Sequence, residues 1–175
     1  MTSFNILHLT DLHYGDPAAS GSFDAAFKFL LEDLERLTTL CGPWDLVVFS
    51  GDMVHTGAEY EEFDRKVLTP IWERITEGGD DGTALLAVPG NHDLRRLPPT
   101  RPALRILRDL ALAKDAGEIW DSMFQAESDY FGLIKEAFSA FSTWRERCAF
   151  HGRDGQKGLK FTPGHLPGDF VASLE

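Results

Sequence analysis

Three short clusters in this chain carry residue types that can do chemistry. Asp11-Leu12-His13 sets a carboxylate and an imidazole two residues apart, so in an extended segment both face one way. Ser50-Gly51-Asp52 places a second carboxylate after a glycine, which permits close backbone approach. The two oxygens of that carboxylate can bridge two cations. Gly90-Asn91-His92-Asp93 adds an amide oxygen, which ligates without adding negative charge. It also adds an imidazole that can donate a proton and a carboxylate that can hold that imidazole in one tautomer. Carboxylates with imidazoles suit hard or borderline divalent metals such as Mn, Fe, Zn or Ni. Taken singly, each cluster has a plainer reading. Asp11 or Asp52 alone is a loop carboxylate or helix cap. His8, mid-strand, reads as a packed core histidine. His55 reads as a solvated loop residue, or as a contact to a metal-binding side chain or to substrate.

The clusters gain weight from what precedes them. Residues 4–9, 45–49 and 84–88 are apolar runs that read as strands, and the clusters follow them. A helix capped by Ser22 or Asp24 runs to about residue 40, with Phe27, Leu30, Leu31, Leu34 and Leu37 on one face; Cys41-Gly42-Pro43 stops it. A second helical segment spans about 59–76, which Pro70 kinks or interrupts, and 78–82 form a turn. The order β-α-β-α-β with near-continuous apolar strands predicts an α/β fold, its sheet mainly parallel and covered on both faces. Such sheets bind ligands beyond the carboxyl ends of the strands. Asp11, His13, Asp52, Asn91, His92 and Asp93 all fall there.

After Asp93 the pattern changes. Residues 97–100 form a rigid connector and 102–114 a helix. Residues 117–147 form a long helix or a helix pair that breaks at Gly132, its aromatics reading as core packing. Residues 152–168 are a Gly-rich loop. The expected organisation is one domain over 1–175: a metal-site core at 1–93, a helical insertion at 94–150, and a loop with the start of a next strand at 151–175.

Asp-x-His, then Gly-Asp, then Gly-Asn-His-Asp, each after an apolar strand, resembles the calcineurin-like metallophosphoesterase family. The resemblance covers residues 4–93 closely and the remainder loosely; His55 stands where many members have a second Asp. It implies a metallophosphoesterase sheet with flanking helices and two divalent ions. Asp11 and His13 would bind the first, Asp52 would bridge both, and Asn91 would bind the second. His92 would protonate the leaving oxygen, oriented by Asp93, while a hydroxide activated by the two metals attacks phosphorus. His55, Arg95 and Arg96 are candidate substrate contacts. Arg101, Arg105 and Arg108 share a helix face that either guides an anionic substrate, nucleotides included, or is merely solvated.

The family's second half supplies three more histidines, two of them in Gly-His-x-His. Gly164-His165-Leu166-Pro167 begins that motif but carries proline at the second histidine. His165 therefore reads as a loop residue, and His151, beside Gly152, as solvent-facing. The chain is expected to be the N-terminal part of such a domain, with an exposed sheet edge and apolar face. The alternative is a degenerate or truncated, non-catalytic module with an interaction or regulatory role in a larger protein, open to self-association or to further domains beyond Glu175.

Composition sets outer bounds. The net charge of −11 is uneven: residues 1–93 hold 5 Lys/Arg against 17 Asp/Glu, and 94–175 hold 12 against 11. Such acidity argues against non-specific nucleic-acid or anionic membrane binding. No apolar run is long enough to span a bilayer. The N-terminus lacks the pattern of a signal peptide, so a cytoplasmic protein is expected. Cys41 and Cys148 are isolated and read as inert, buried thiols.

Overall fold

The computed structural model describes residues 4–76, 82–110, 116–148, 150–152 and 158–174. The three apolar runs form parallel strands β1 (Ile6–Leu9), β2 (Leu46–Phe49) and β3 (Ala84–Ala87), in that spatial order. Ile6, Leu46 and Ala84 sit in register at one end, and Leu9, Phe49 and Ala87 at the other. The three carboxyl ends therefore lie side by side. Helix α1 (Ser20–Cys41) connects β1 to β2. The connection from β2 to β3 is α2 (Tyr60–Phe63), a π-helical turn (Asp64–Leu68) and α3 (Thr69–Ile75). Pro70 accounts for the π turn. It has no N–H to give and its ring crowds the preceding carbonyls, so the chain widens and Thr69 N–H reaches back five residues to the Asp64 carbonyl.

One face of the sheet is covered by helices. Leu7, Val47, Phe49, Leu85 and Ala87 pack there against Leu34 of α1, Phe63, Val67, Leu68, Ile71 and Ile75. Helices α4 (Pro102–Arg108), α5 (Ala116–Met123) and α6 (Asp129–Arg147) follow. From α6, Phe141 and Trp144 enter the same core. The other face is covered by an antiparallel hairpin, β4 (Leu159–Pro163) and β5 (Phe170–Leu174), whose Leu159 packs on Leu46 and Ala84. The outer edge of β3 is also occupied: Leu85 N–H donates to the Phe150 carbonyl at 3.0 Å and Gly152 N–H to the Leu85 carbonyl at 2.7 Å. This mixed α/β arrangement is the expected fold class; an exposed sheet edge and apolar face were expected, and the β3 edge is covered. An apolar remainder is exposed at β1, where Ile6 is 52% accessible.

Several expectations are corrected. Neither Ser22 nor Asp24 caps α1; the chain enters it through a turn in which Asp16 accepts from Ala18 N–H at 2.8 Å. The helix pair breaks between Met123 and Asp129, where Ser128 accepts from Phe131 N–H, and Gly132 lies inside α6. The Gly-rich stretch contains β4. β1 is not covered on both faces: His8 is exposed and meets Ser50 Oγ at 2.7 Å, so it is no core histidine. Cys41 is exposed, while Cys148 is buried and its thiol is pushed up to about 11 by burial. His151 bridges to β3 rather than facing solvent. Most of the 78–82 turn and the end of the 102–114 helix lie outside the described residues. No helix among the described residues is long and apolar enough to cross a membrane.

Phe63 is fully buried between the rings of Tyr14, Phe49 and Trp144. Phe63→Ala is expected to cost about 3–5 kcal/mol in urea unfolding, against roughly 0.5 kcal/mol or less for Phe29→Ala, which is 69% exposed. Burial holds His151 below its usual value of 6.5. The unfolded chain then takes up the proton first on acidification. This contribution is intact above about pH 6.5 and is lost as pH falls towards the folded value. Unfolding curves at stepped pH should show a shallower acid loss for His151→Gln than for the parent.

Candidate metal centre

The hydrogen-bond ladder between β1 and β2 continues past both strands. Asp11 N–H donates to the Gly51 carbonyl (3.1 Å), His13 N–H to Asp52 (2.9 Å) and Tyr14 N–H to Met53 (3.1 Å); His55 N–H returns to Tyr14 (2.8 Å). The extension is bent. Asp11, His13 and Asp52 have φ of 54°, 46° and 51°, and among the described residues no other non-glycine has positive φ. Left-handed backbone costs each residue on the order of 1 kcal/mol, and Asp is among the types that bear it best. The ladder bonds hold these three residues in that conformation.

The turn after β3 is tied to the turn after β2 by side chains. Asp93 is fully buried. Its Oδ1 accepts from Met53 N–H (3.1 Å) and Val54 N–H (3.2 Å), and its Oδ2 from Gly90 N–H (2.8 Å). Burial pushes this carboxyl up, and the amides pull it part of the way back. The Tyr60 hydroxyl lies near Asp93 without a well-formed hydrogen bond, and burial first, then the Asp93 charge, holds it protonated. Asp52 Oδ1 accepts from His92 N–H at 2.9 Å. Two glycines allow this approach. A Cβ on Gly51, itself at φ 113°, would stand 2.9 Å from the Gly90 Cα, and one on Gly90 would stand 2.2 Å from Asp52 Oδ1.

The result gathers donors at the strand ends. Asp11, His13 and Asp52 each bring one ligand atom within 4.8 Å of the other two. His13 Nε2 stands 3.6 Å from Asp11 Oδ1 and 3.9 Å from Asp52 Oδ2. Asp11 is the exposed member, with His13 and Asp52 progressively more covered. Asn91 follows in the turn and is exposed. Two carboxylate oxygens and an imidazole nitrogen at this spacing fit a divalent cation of the Mn, Fe, Zn or Ni type.

The expected pairing of Asp93 with the His92 ring is absent, because the Asp93 oxygens are occupied by backbone amides. His92 Nδ1 instead meets the His55 carbonyl at 3.1 Å. A carbonyl only accepts, so this nitrogen carries the proton and Nε2 is left to the site. The His55 ring lies beside His92, with centroids 5.2 Å apart. Four of the five arginines are engaged elsewhere. Arg95 N–H donates to the Ala137 carbonyl, and Arg95 and Arg101 both pair with Glu136 of α6. Arg105 meets the Pro99 carbonyl, Arg108 meets Asp109, and Arg96 is exposed. His165, expected in a loop, is exposed and meets the Phe124 carbonyl at 2.8 Å. The reach of Asp93 across to the β2 turn was not legible in its own neighbourhood. The 90–93 spacing alone hinted at its bond to Gly90.

The family model described as calcineurin-like phosphoesterase matches residues 4–171. Compared with curated proteins and with solved structures, the chain has no match.

Two substitutions probe this architecture. Asp93→Asn keeps the shape but presents an NH2 group to buried amides, so at least one N–H loses its acceptor. Urea unfolding should show a loss of about 1–3 kcal/mol. Gly90→Ala should displace the Asp52 carboxylate and weaken Mn binding at least tenfold by calorimetry. Gly21→Ala, with nothing within 4 Å, should leave that affinity unchanged.

Proposed function

The chain belongs to the calcineurin-like phosphoesterase family, and on that premise we propose that it hydrolyses phosphate esters with divalent metal at the strand-end cluster. The observation that carries this is the convergence of Asp11, His13 and Asp52 beside the His92 ring. Asp11, His13 and Asp52 are assigned to one cation, and Asp52 with Asn91 to a second. When bound, such cations neutralise phosphoryl oxygens and acidify water.

The protein's own groups supply position and a proton. Asp52 fixes the His92 backbone through Oδ1. The His55 carbonyl holds the proton on His92 Nδ1. His92 Nε2 is then the atom that carries a proton in the imidazolium and gives it to the departing oxygen. Asp93 is a positioning residue: its oxygens are taken up by the Met53, Val54 and Gly90 amides, and it sets the spacing between the β2 and β3 turns. The substrate is a phosphate ester. Arg95 is engaged by Glu136, which leaves exposed Arg96 as the adjacent guanidinium for an anion.

The test measures bound metal per chain in Mn-loaded protein, with hydrolysis of an aryl phosphodiester and a phosphomonoester. Turnover is expected in the parent. Asp52→Asn should lose both metal and turnover. His92→Asn should keep the metal and lose about 10²–10⁴-fold in kcat. Neither metal nor turnover in the parent, or undiminished turnover in Asp52→Asn, would contradict the assignment.

A further inference from the structure

His55 has a second feature besides its carbonyl. Its backbone is pinned on both sides, its N–H donating to Tyr14 and its carbonyl accepting from His92. The ring is thereby set against His92 at a tilt of 38°. His13 meets His92 edge-on, with centroids 4.6 Å apart. One ring nitrogen from each of His13, His55 and His92 lies within 4.8 Å of the other two. The Nδ1 of His55 is buried and has no hydrogen-bond partner. A buried nitrogen left unpaired is costly, and such groups in folded proteins ordinarily have a partner.

We infer that His13, His55 and His92 form a nitrogen-donor site for one borderline dication of the Zn, Ni or Cu type, overlapping the carboxylate set through His13. This rests on the reading that the strand ends bind metal, and adds a donor set of different selectivity. Three imidazoles favour Zn, Ni and Cu, whereas carboxylate and amide oxygens favour Mn. Metal–nitrogen bonds of about 2.0–2.1 Å put tetrahedral donors about 3.3 Å apart, so nitrogens already within 4.8 Å of one another need approach by no more than about 1.5 Å. The His55 carbonyl on His92 Nδ1 leaves the Nε2 lone pair free to ligate, the usual outer support of a metal-bound histidine.

Sharing His13 makes the two donor sets mutually exclusive. A cation on the three imidazoles also engages the Nε2 that proton donation needs. Zn or Cu in this position therefore blocks the chemistry that Mn supports.

The nitrogen count of bound Cu(II) tests the inference directly. With one equivalent of Cu(II), electron paramagnetic resonance of the unaltered protein should show three coordinated nitrogens. His55→Ala should show fewer, with Cu affinity at least tenfold weaker by calorimetry. Asp11→Asn, tolerant of left-handed backbone, should weaken Mn and keep the three-nitrogen signal. A one-nitrogen signal in the unaltered protein, or an unchanged signal and affinity in His55→Ala, overturns the inference. If Mn still binds in that case and Asp52→Asn abolishes it, the phosphoesterase assignment stands. Failure to bind either metal overturns both.

Discussion

A single buried carboxylate sets the geometry of the strand ends. Asp93 accepts from Met53 and Val54 on one turn and from Gly90 on another. Removing a carboxylate from water is costly, and its raised affinity for a proton reflects that cost. Three amides offset part of it. The parallel strands bring the turns to the same end of the sheet, but their spacing follows from this carboxylate. The Asp52 carboxylate then locks the His92 backbone. Gly51 and Gly90 complete the constraint, since neither position has room for a side chain.

Strain is concentrated where the donors are. The three left-handed non-glycine residues are Asp11, His13 and Asp52, the same residues that form the carboxylate-rich cluster. An extended continuation of β1 and β2 would keep Asp11 and His13 on one face but, in the β1–β2 register, would set Asp52 on the opposite face. The left-handed bends turn these side chains toward a common point instead. The core beneath resists relaxation, because Phe49, Val54 and Phe63 are fully buried next to the bent segments. Rigid packing below and strained turns above together give a preorganised donor set.

Much of this was readable because strand, turn and chemistry coincide in sequence. The three apolar runs, the helices between them and the placement of Asp11, His13, Asp52 and His92 beyond strand ends all follow from local pattern. What local pattern misses is non-local. Asp93 stands next to His92 in sequence, which suggested that it serves that ring; the fold aims it at amides about forty residues away. His55 stayed open between a loop residue and a contact at the site because its two anchors, Tyr14 and His92, lie far off in the chain. The arginine row left an anion path or a solvated face open, and a carboxylate on α6, Glu136, pairs with Arg95 and Arg101. The covering of β3 by Phe150–Gly152 and of the open face by β4 and β5 arises in a stretch whose glycines masked β4, and where only the start of a strand was expected near β5.

The central claim is that Asp11, His13 and Asp52 form one metal-binding unit held by the Asp93 staple. Anomalous diffraction at the Mn edge from Mn-loaded crystals tests it most directly. An anomalous peak is expected within coordinating distance of all three side chains, with Asp93 still on its backbone amides. A peak located elsewhere, or a strand-end cluster that stays metal-free at saturating Mn, would contradict it.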